Sequence, residues 1–177
     1  TPHTGVMAYD EKYSKIPHAA LTMEDAMMLG RLYDRGEKII IKLYMEAQTL
    51  PDRWSKNIIS ELVGSTFPDE VIVIGGHIDS WDVGQGVHDD AGGCIVAWEA
   101  LRLIKKLGLK PKRTIRCVLW TNEENGSRGN QAYRDMVREQ IDNQILAIES
   151  DAGVFAPKGF GFTGSDQARK IVSDIHE

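Results

Sequence analysis

Val71-Ile72-Val73-Ile74-Gly75-Gly76-His77-Ile78-Asp79-Ser80-Trp81 is the stretch that decides the fold. Its four consecutive β-branched residues predict a strand buried on both faces. The run stops at two glycines, where no side chain obstructs the backbone. A histidine and an aspartate follow, and Gly86-Val87-His88-Asp89-Asp90-Ala91-Gly92-Gly93 adds an acidic pair. Open α/β sheets build their sites where buried strands end.

Outward from this stretch the same pattern recurs. Arg113 to Thr121 reads as a strand followed by Asn122-Glu123-Glu124-Asn125-Gly126-Ser127. Ile145-Leu146-Ala147-Ile148 reads as a strand ending in Glu149-Ser150-Asp151. Helices are expected from Gly92 to Leu107, from about Asn130 to Ile141, and after the glycine-rich turn Gly159 to Gly164. Gly108 stops the first of these. Strand and helix thus alternate from residue 70, which predicts an α/β fold with a mixed, mostly parallel sheet and helices on both faces. Asn57 to Val63 adds a strand ahead of the turn Thr66-Phe67-Pro68-Asp69.

The first fifty residues have a different texture. Thr22-Met23-Glu24-Asp25 is a helix start, with a hydroxyl cap and an acidic first turn. Met27, Met28 and Leu32 are expected to face a core, and Gly36 to stop the helix. Lys38 to Tyr44 reads as a strand. Leu50-Pro51-Asp52 marks a loop, and a domain boundary is placed there, dividing the chain into 1–50 and 51–177. The chain opens at Thr1 in what reads as mid-domain and closes inside a helical pattern, so it is read as a fragment.

Composition is that of a globular protein, and the length suits one sizeable core. A net charge of −5 gives no footprint for nucleic acid or for an anionic membrane surface. No apolar run is long enough for a membrane span. The two cysteines, Cys94 and Cys117, lie outside any CxxC pattern and read as buried free thiols.

Chemistry collects at the strand ends: His77, Asp79 and Asp89 after the first, Glu123 and Glu124 after the second, Asp151 after the third. In a parallel sheet these ends share one side, so the groups converge. Each alone is an ordinary solvated loop or helix cap; together they are not. Converging carboxylates need neutralising, and Arg128 is the one basic residue near these loops. A dication fits, and one histidine among several carboxylates suits zinc or a similar first-row metal. The surplus of carboxylates, one able to bridge, suits two ions about 3.5–4 Å apart. Such metals acidify water and polarise a carbonyl, and an unliganded carboxylate moves the proton. Spacing alone leaves open which glutamate does which.

His77-x-Asp79-Ser80-Trp81, Asp89-Asp90-Ala91-Gly92-Gly93, Trp120-Thr121-Asn122-Glu123-Glu124 and Glu149-Ser150-Asp151-Ala152-Gly153 resemble the zinc exopeptidases related to bacterial aminopeptidases and glutamate carboxypeptidase. The flanks Pro2-His3-Thr4-Gly5, Lys110-Pro111-Lys112-Arg113-Thr114 and Phe162-Thr163-Gly164-Ser165 agree, and the likeness covers essentially the whole chain. The resemblance implies a zinc exopeptidase-like fold, with 51–177 the first part of a dizinc catalytic domain. It makes residues 1–50 the end of a smaller α+β insert of the protease-associated kind. It implies two zinc ions (Zn2+), with His77 and Asp151 on the first, Asp89 bridging and Glu124 on the second. Glu123 becomes the general base, and Asp79 an acceptor behind His77 that fixes its tautomer. Substrates would be dipeptides or the terminal residues of short peptides, the location secreted or lysosomal, and the full-length protein a homodimer. The family's last ligand, a histidine on the second zinc, is expected beyond Glu177, since His176 lies in a helical pattern and His88 lies outside the motif. The piece alone is therefore expected to be poorly active. Two rival readings are an inactive binding protein on the same fold and another two-metal amidohydrolase. Asn125-Gly126-Ser127 is also a glycosylation sequon.

Overall fold

A computed structural model describes residues 9–48 and 50–176, so the flank Pro2–Gly5 lies outside the described residues. Contacts within the chain separate it into two units: Thr1–Ser55 with Trp81–Gln85, and Lys56–Ser80 with Gly86–Glu177.

The second unit is a four-stranded sheet in the order β1-β3-β2-β4. Its strands are β1 (Ile58–Leu62), β2 (Phe67–His77), β3 (Arg113–Trp120) and β4 (Gln144–Glu149). β2 lies between β3 and β4 and is parallel to both, while β1 pairs antiparallel with the outer side of β3. The mixed, mostly parallel sheet is thus observed. Alternation along each strand sorts the apolar side chains onto two faces. On one, Val71, Val73, Val118 and Trp120 pack with Tyr133 of α3 (Arg128–Met136) and with Val137. On the other, Ile74, Ile115, Cys117 and Leu119 pack with Ala97 and Leu101 of α2 (Gly92–Lys106). A helix therefore covers each face, which is why the Val71–Ile74 run carries no polar residue. Cys94 and Cys117 are buried free thiols, as expected.

Register fixes what the strands deliver. His77 lies opposite Trp120 and Gly75 opposite Glu149, so β2 and β3 end level and β4 ends two residues earlier, on the same side of the sheet.

Some boundaries differ from the sequence reading. β2 begins at Phe67, inside the expected turn at Thr66–Asp69; Pro68, which has no N–H to donate, falls where the β2–β3 register slips between Phe67 and Val71. The helix expected from Asn130 to Ile141 is two pieces. α3 ends at Met136, and a 3₁₀ stretch, Arg138–Asn143, leads into β4. α4 (Asp166–His176) closes the chain, with Ser165 Oγ accepting the Ala168 N–H at 3.2 Å.

In the first unit, α1 (Met23–Asp34) starts as expected: Thr22 Oγ1 accepts the Asp25 N–H at 3.0 Å. It stops as expected too, with Gly36 and Glu37 N–H groups returning to Tyr33 and Leu32 carbonyls. Two expectations fail. Met27 is 59% exposed and Met28 45%, because a single helix has no second layer of its own to bury against. Lys38–Tyr44 forms no strand, and Ile40 is 79% exposed. A strand needs a partner for its N–H and C=O groups, and this unit has no other strand among its described residues. No described helix is long and apolar enough to cross a membrane.

Candidate metal centre

His77 is the last residue of β2 and is 1% exposed. Its Nδ1 lies 2.9 Å from the backbone carbonyl of Asp79. A carbonyl only accepts, so Nδ1 carries a hydrogen, and in the neutral ring Nε2 presents its lone pair. That lone pair faces two carboxylate oxygens, Asp89 Oδ1 at 3.0 Å and Asp151 Oδ1 at 3.3 Å. Three electron-rich atoms meet there in the neutral ring, and a proton on Nε2 or a metal ion in its place makes the arrangement favourable. Burial would by itself lower the His77 pKa. The Asp79 carbonyl and the charges of Asp151, Asp90 and Glu123 outweigh it and hold the pKa above the ordinary value.

Glu124 joins the same cluster. Ligand atoms of His77, Asp89 and Glu124 lie within 4.8 Å of one another, as do those of His77, Asp90 and Asp151. Glu124 Oε1 is buried with no hydrogen-bond partner among the described residues. Burial, and then the charge of Asp89, raise the Glu124 pKa. A buried acceptor without a donor, beside a lone pair and two further carboxylates, is what a metal site looks like before its ion is added. The donor set fits zinc.

The loop between β2 and α2 is shaped by Asp90, to which the sequence reading gave no role. Asp90 is 1% exposed; its Oδ2 accepts the His77 N–H at 3.0 Å and its Oδ1 the Gly93 N–H at 2.9 Å. Burial pushes its pKa up, against the pull of these two bonds. There is room for this only because Gly76 and Gly93 lack side chains: a Cβ on Gly93 would sit 2.7 Å from Asp90 Oδ2, and one on Gly76 2.7 Å from the Cys94 nitrogen. The signal was present in the sequence, as an aspartate three residues before a glycine in the first turn of a helix. Cys94 Sγ donates to the His77 carbonyl at 3.1 Å, and burial pushes this thiol up to about 12, so it stays protonated.

The loop after β3 is held from outside. Asp79 was expected as an acceptor behind His77, and the acceptor is its backbone carbonyl; its carboxylate stands 3.8 Å from Nδ1. It accepts instead from the backbone N–H groups of Glu123 at 2.9 Å and Glu124 at 3.2 Å. The backbone of Asp79 orients the imidazole while its side chain anchors the two glutamates. Glu123 belongs to neither cluster of ligand atoms. The structure thus brings His77, Asp89, Glu124 and Asp151 together, with Asp79 and Glu123 beside them.

The model of peptidase family M28 matches residues 57–177. This chain belongs to peptidase family M28. Carboxypeptidase Q of Mus musculus is 50% identical over 175 residues, covering 99% of this chain and 37% of the relative. Carboxypeptidase Q of Homo sapiens is similar to the same degree, 50% over 175 residues with the same coverage. Among solved structures, a peptidase M28 precursor from Shewanella amazonensis SB2B superposes with a TM-score of 0.90 at 35% identity, covering 97% of this chain and 39% of that one. The chain thus spans a little over a third of the length of the relatives it matches.

Proposed function

We propose that the chain carries the metal-binding face of a dizinc exopeptidase that hydrolyses dipeptides or terminal residues of short peptides. The observation that carries this reading is the His77 Nε2 lone pair facing Asp89 and Asp151, beside the unpaired Glu124 Oε1.

His77 and Asp151 would hold one ion, Glu124 the other, and Asp89 both. Zinc bound there supplies Lewis acidity to the scissile carbonyl and lowers the pKa of water. The chain's own residues do the rest. Asp79 holds the Glu123 backbone, so that the Glu123 carboxylate takes the proton from the attacking water and passes it to the leaving amine. Buried His77 keeps one tautomer through its bond to the Asp79 carbonyl, so its Nε2 stays available as a ligand. Family membership and the likeness to carboxypeptidase Q support the reaction class.

The test is an assay of the full-length protein against dipeptides and N-acylated amino acids. Hydrolysis of dipeptides that chelator abolishes and zinc restores is the expected result. Zinc binding without hydrolysis would favour a binding protein, and cleavage confined to acylated amino acids would favour an amidohydrolase. A secreted or lysosomal location and a homodimer belong to the same proposal; cell fractionation and light scattering check them.

A further inference from the structure

We infer that Asn57 is a positioning residue for the Glu123–Glu124 loop. The inference rests on the reading of those glutamates as base and ligand.

Asn57 sits immediately before β1, whose antiparallel register sets Ile58 opposite Leu119. Asn57 therefore reaches past the end of β3, where the loop begins. Its Oδ1 accepts the Thr121 N–H at 3.0 Å, and its Nδ2 donates to the Gly129 carbonyl at 2.8 Å. Gly129 N–H in turn donates to the Thr121 carbonyl at 3.0 Å. One amide thus spans both ends of the loop and closes its neck, while the Asp79 carboxylate fixes its tip. The neck is tight. A Cβ on Gly129 would sit 2.6 Å from Asn57 Oδ1 and 2.7 Å from the Thr121 nitrogen, and nearer still to the Thr121 carbonyl oxygen. An amide suits this place because it offers a donor and an acceptor side by side, complementary to a backbone N–H and C=O. Both bonds of Asn57 go to backbone groups of Thr121 and Gly129, neither of them assigned to metal or proton transfer. Its effect must run through the direction in which the loop aims Glu123 and Glu124.

The experiment is a double-mutant cycle in the full-length enzyme. Asn57→Leu keeps the size and removes both bonds. Outer supports of metal sites typically cost about 10–100-fold, and we expect a kcat loss in that range with KM changed little. With zinc held at saturation, so that the aim of Glu124 does not limit turnover, the base is already gone in a Glu123→Gln background and the same change should cost no more than about 3-fold. Equal losses in both backgrounds, or an unchanged kcat for Asn57→Leu, would overturn the inference while leaving the base assignment standing. Parental turnover by Glu123→Gln alone would sink the base assignment, and this inference with it. Should Asn57→Leu not fold, Asn57→Asp takes its place in the cycle. It keeps the acceptor for Thr121 but sets a carboxylate oxygen against the Gly129 carbonyl, so a loss with the same non-additivity is expected, and full activity overturns the inference.

Discussion

Asp89-Asp90 after β2 and Glu123-Glu124 after β3 are both acidic pairs at strand ends, and their neighbours hold them in opposite ways. In the first pair one member stabilises the loop and the other is left free for it. Asp90 is buried and accepts two backbone N–H groups, while Asp89 is 61% exposed and reaches the His77 Nε2. In the second pair both N–H groups are taken by a residue outside the loop, Asp79, and the bond that the Glu123 carboxylate accepts within the loop, from Ser127 Oγ to Glu123 Oε1, is long at 3.5 Å. The difference divides the consequences of mutation. Changes in the aspartate pair should separate folding from metal binding. Changes in the glutamate pair should separate metal binding from proton transfer.

The largest expected effect tests the glutamates. Glu123→Gln should lower kcat by about 10²–10⁴ while zinc content stays at the parental level. Glu124→Gln should lose zinc, because a neutral amide replaces a charged ligand. Zinc content and turnover measured side by side would decide it. If Glu123→Gln loses zinc and Glu124→Gln keeps it but is inactive, the roles are exchanged.

Next is the aspartate pair. Asp90→Ala leaves two buried N–H groups unpaired and should destabilise the metal-free protein by about 3 kcal/mol. Asp89→Ala should leave that stability nearly unchanged and remove more zinc than any other single substitution, since a bridging ligand serves both ions. Denaturant melts of the metal-free variants, with metal analysis of the same samples, test both statements. Equal destabilisation by the two changes would erase the contrast.

The sequence carried the sheet and the convergence at its edge, because both follow from short-range signals. A β-branched run, a glycine pair and acidic strand ends are each written in adjacent residues, and parallel topology then brings the ends together. It did not carry Asp90 or the second use of Asp79. Both depend on where one side chain lies relative to a distant backbone N–H, and no periodicity encodes that. The Asn57 bonds span 64 and 72 residues for the same reason. The misplaced strand at Lys38–Tyr44 shows the converse: Ile39, Ile40 and Ile41 have strand propensity, but propensity supplies no partner.

The smallest effect separates the two functions of Asp79. Asp79→Asn leaves the backbone carbonyl in place, so the bond to His77 Nδ1 survives. The carboxylate, however, accepts two N–H groups, one on each oxygen. An amide can serve only one of them and turns its own NH₂ toward the other. Glu123 and Glu124 should then be less firmly aimed, with a loss of about 10-fold in turnover and in the affinity for one zinc ion. Zinc titrations of Asp151→Asn and Glu124→Gln provide the references, since each weakens a different ion. The Asp79→Asn titration should resemble that of Glu124→Gln. A profile like that of Asp151→Asn would mean that the carboxylate, rather than the carbonyl, orients His77, and the contrast between a self-supported aspartate pair and an externally supported glutamate pair would fall with it.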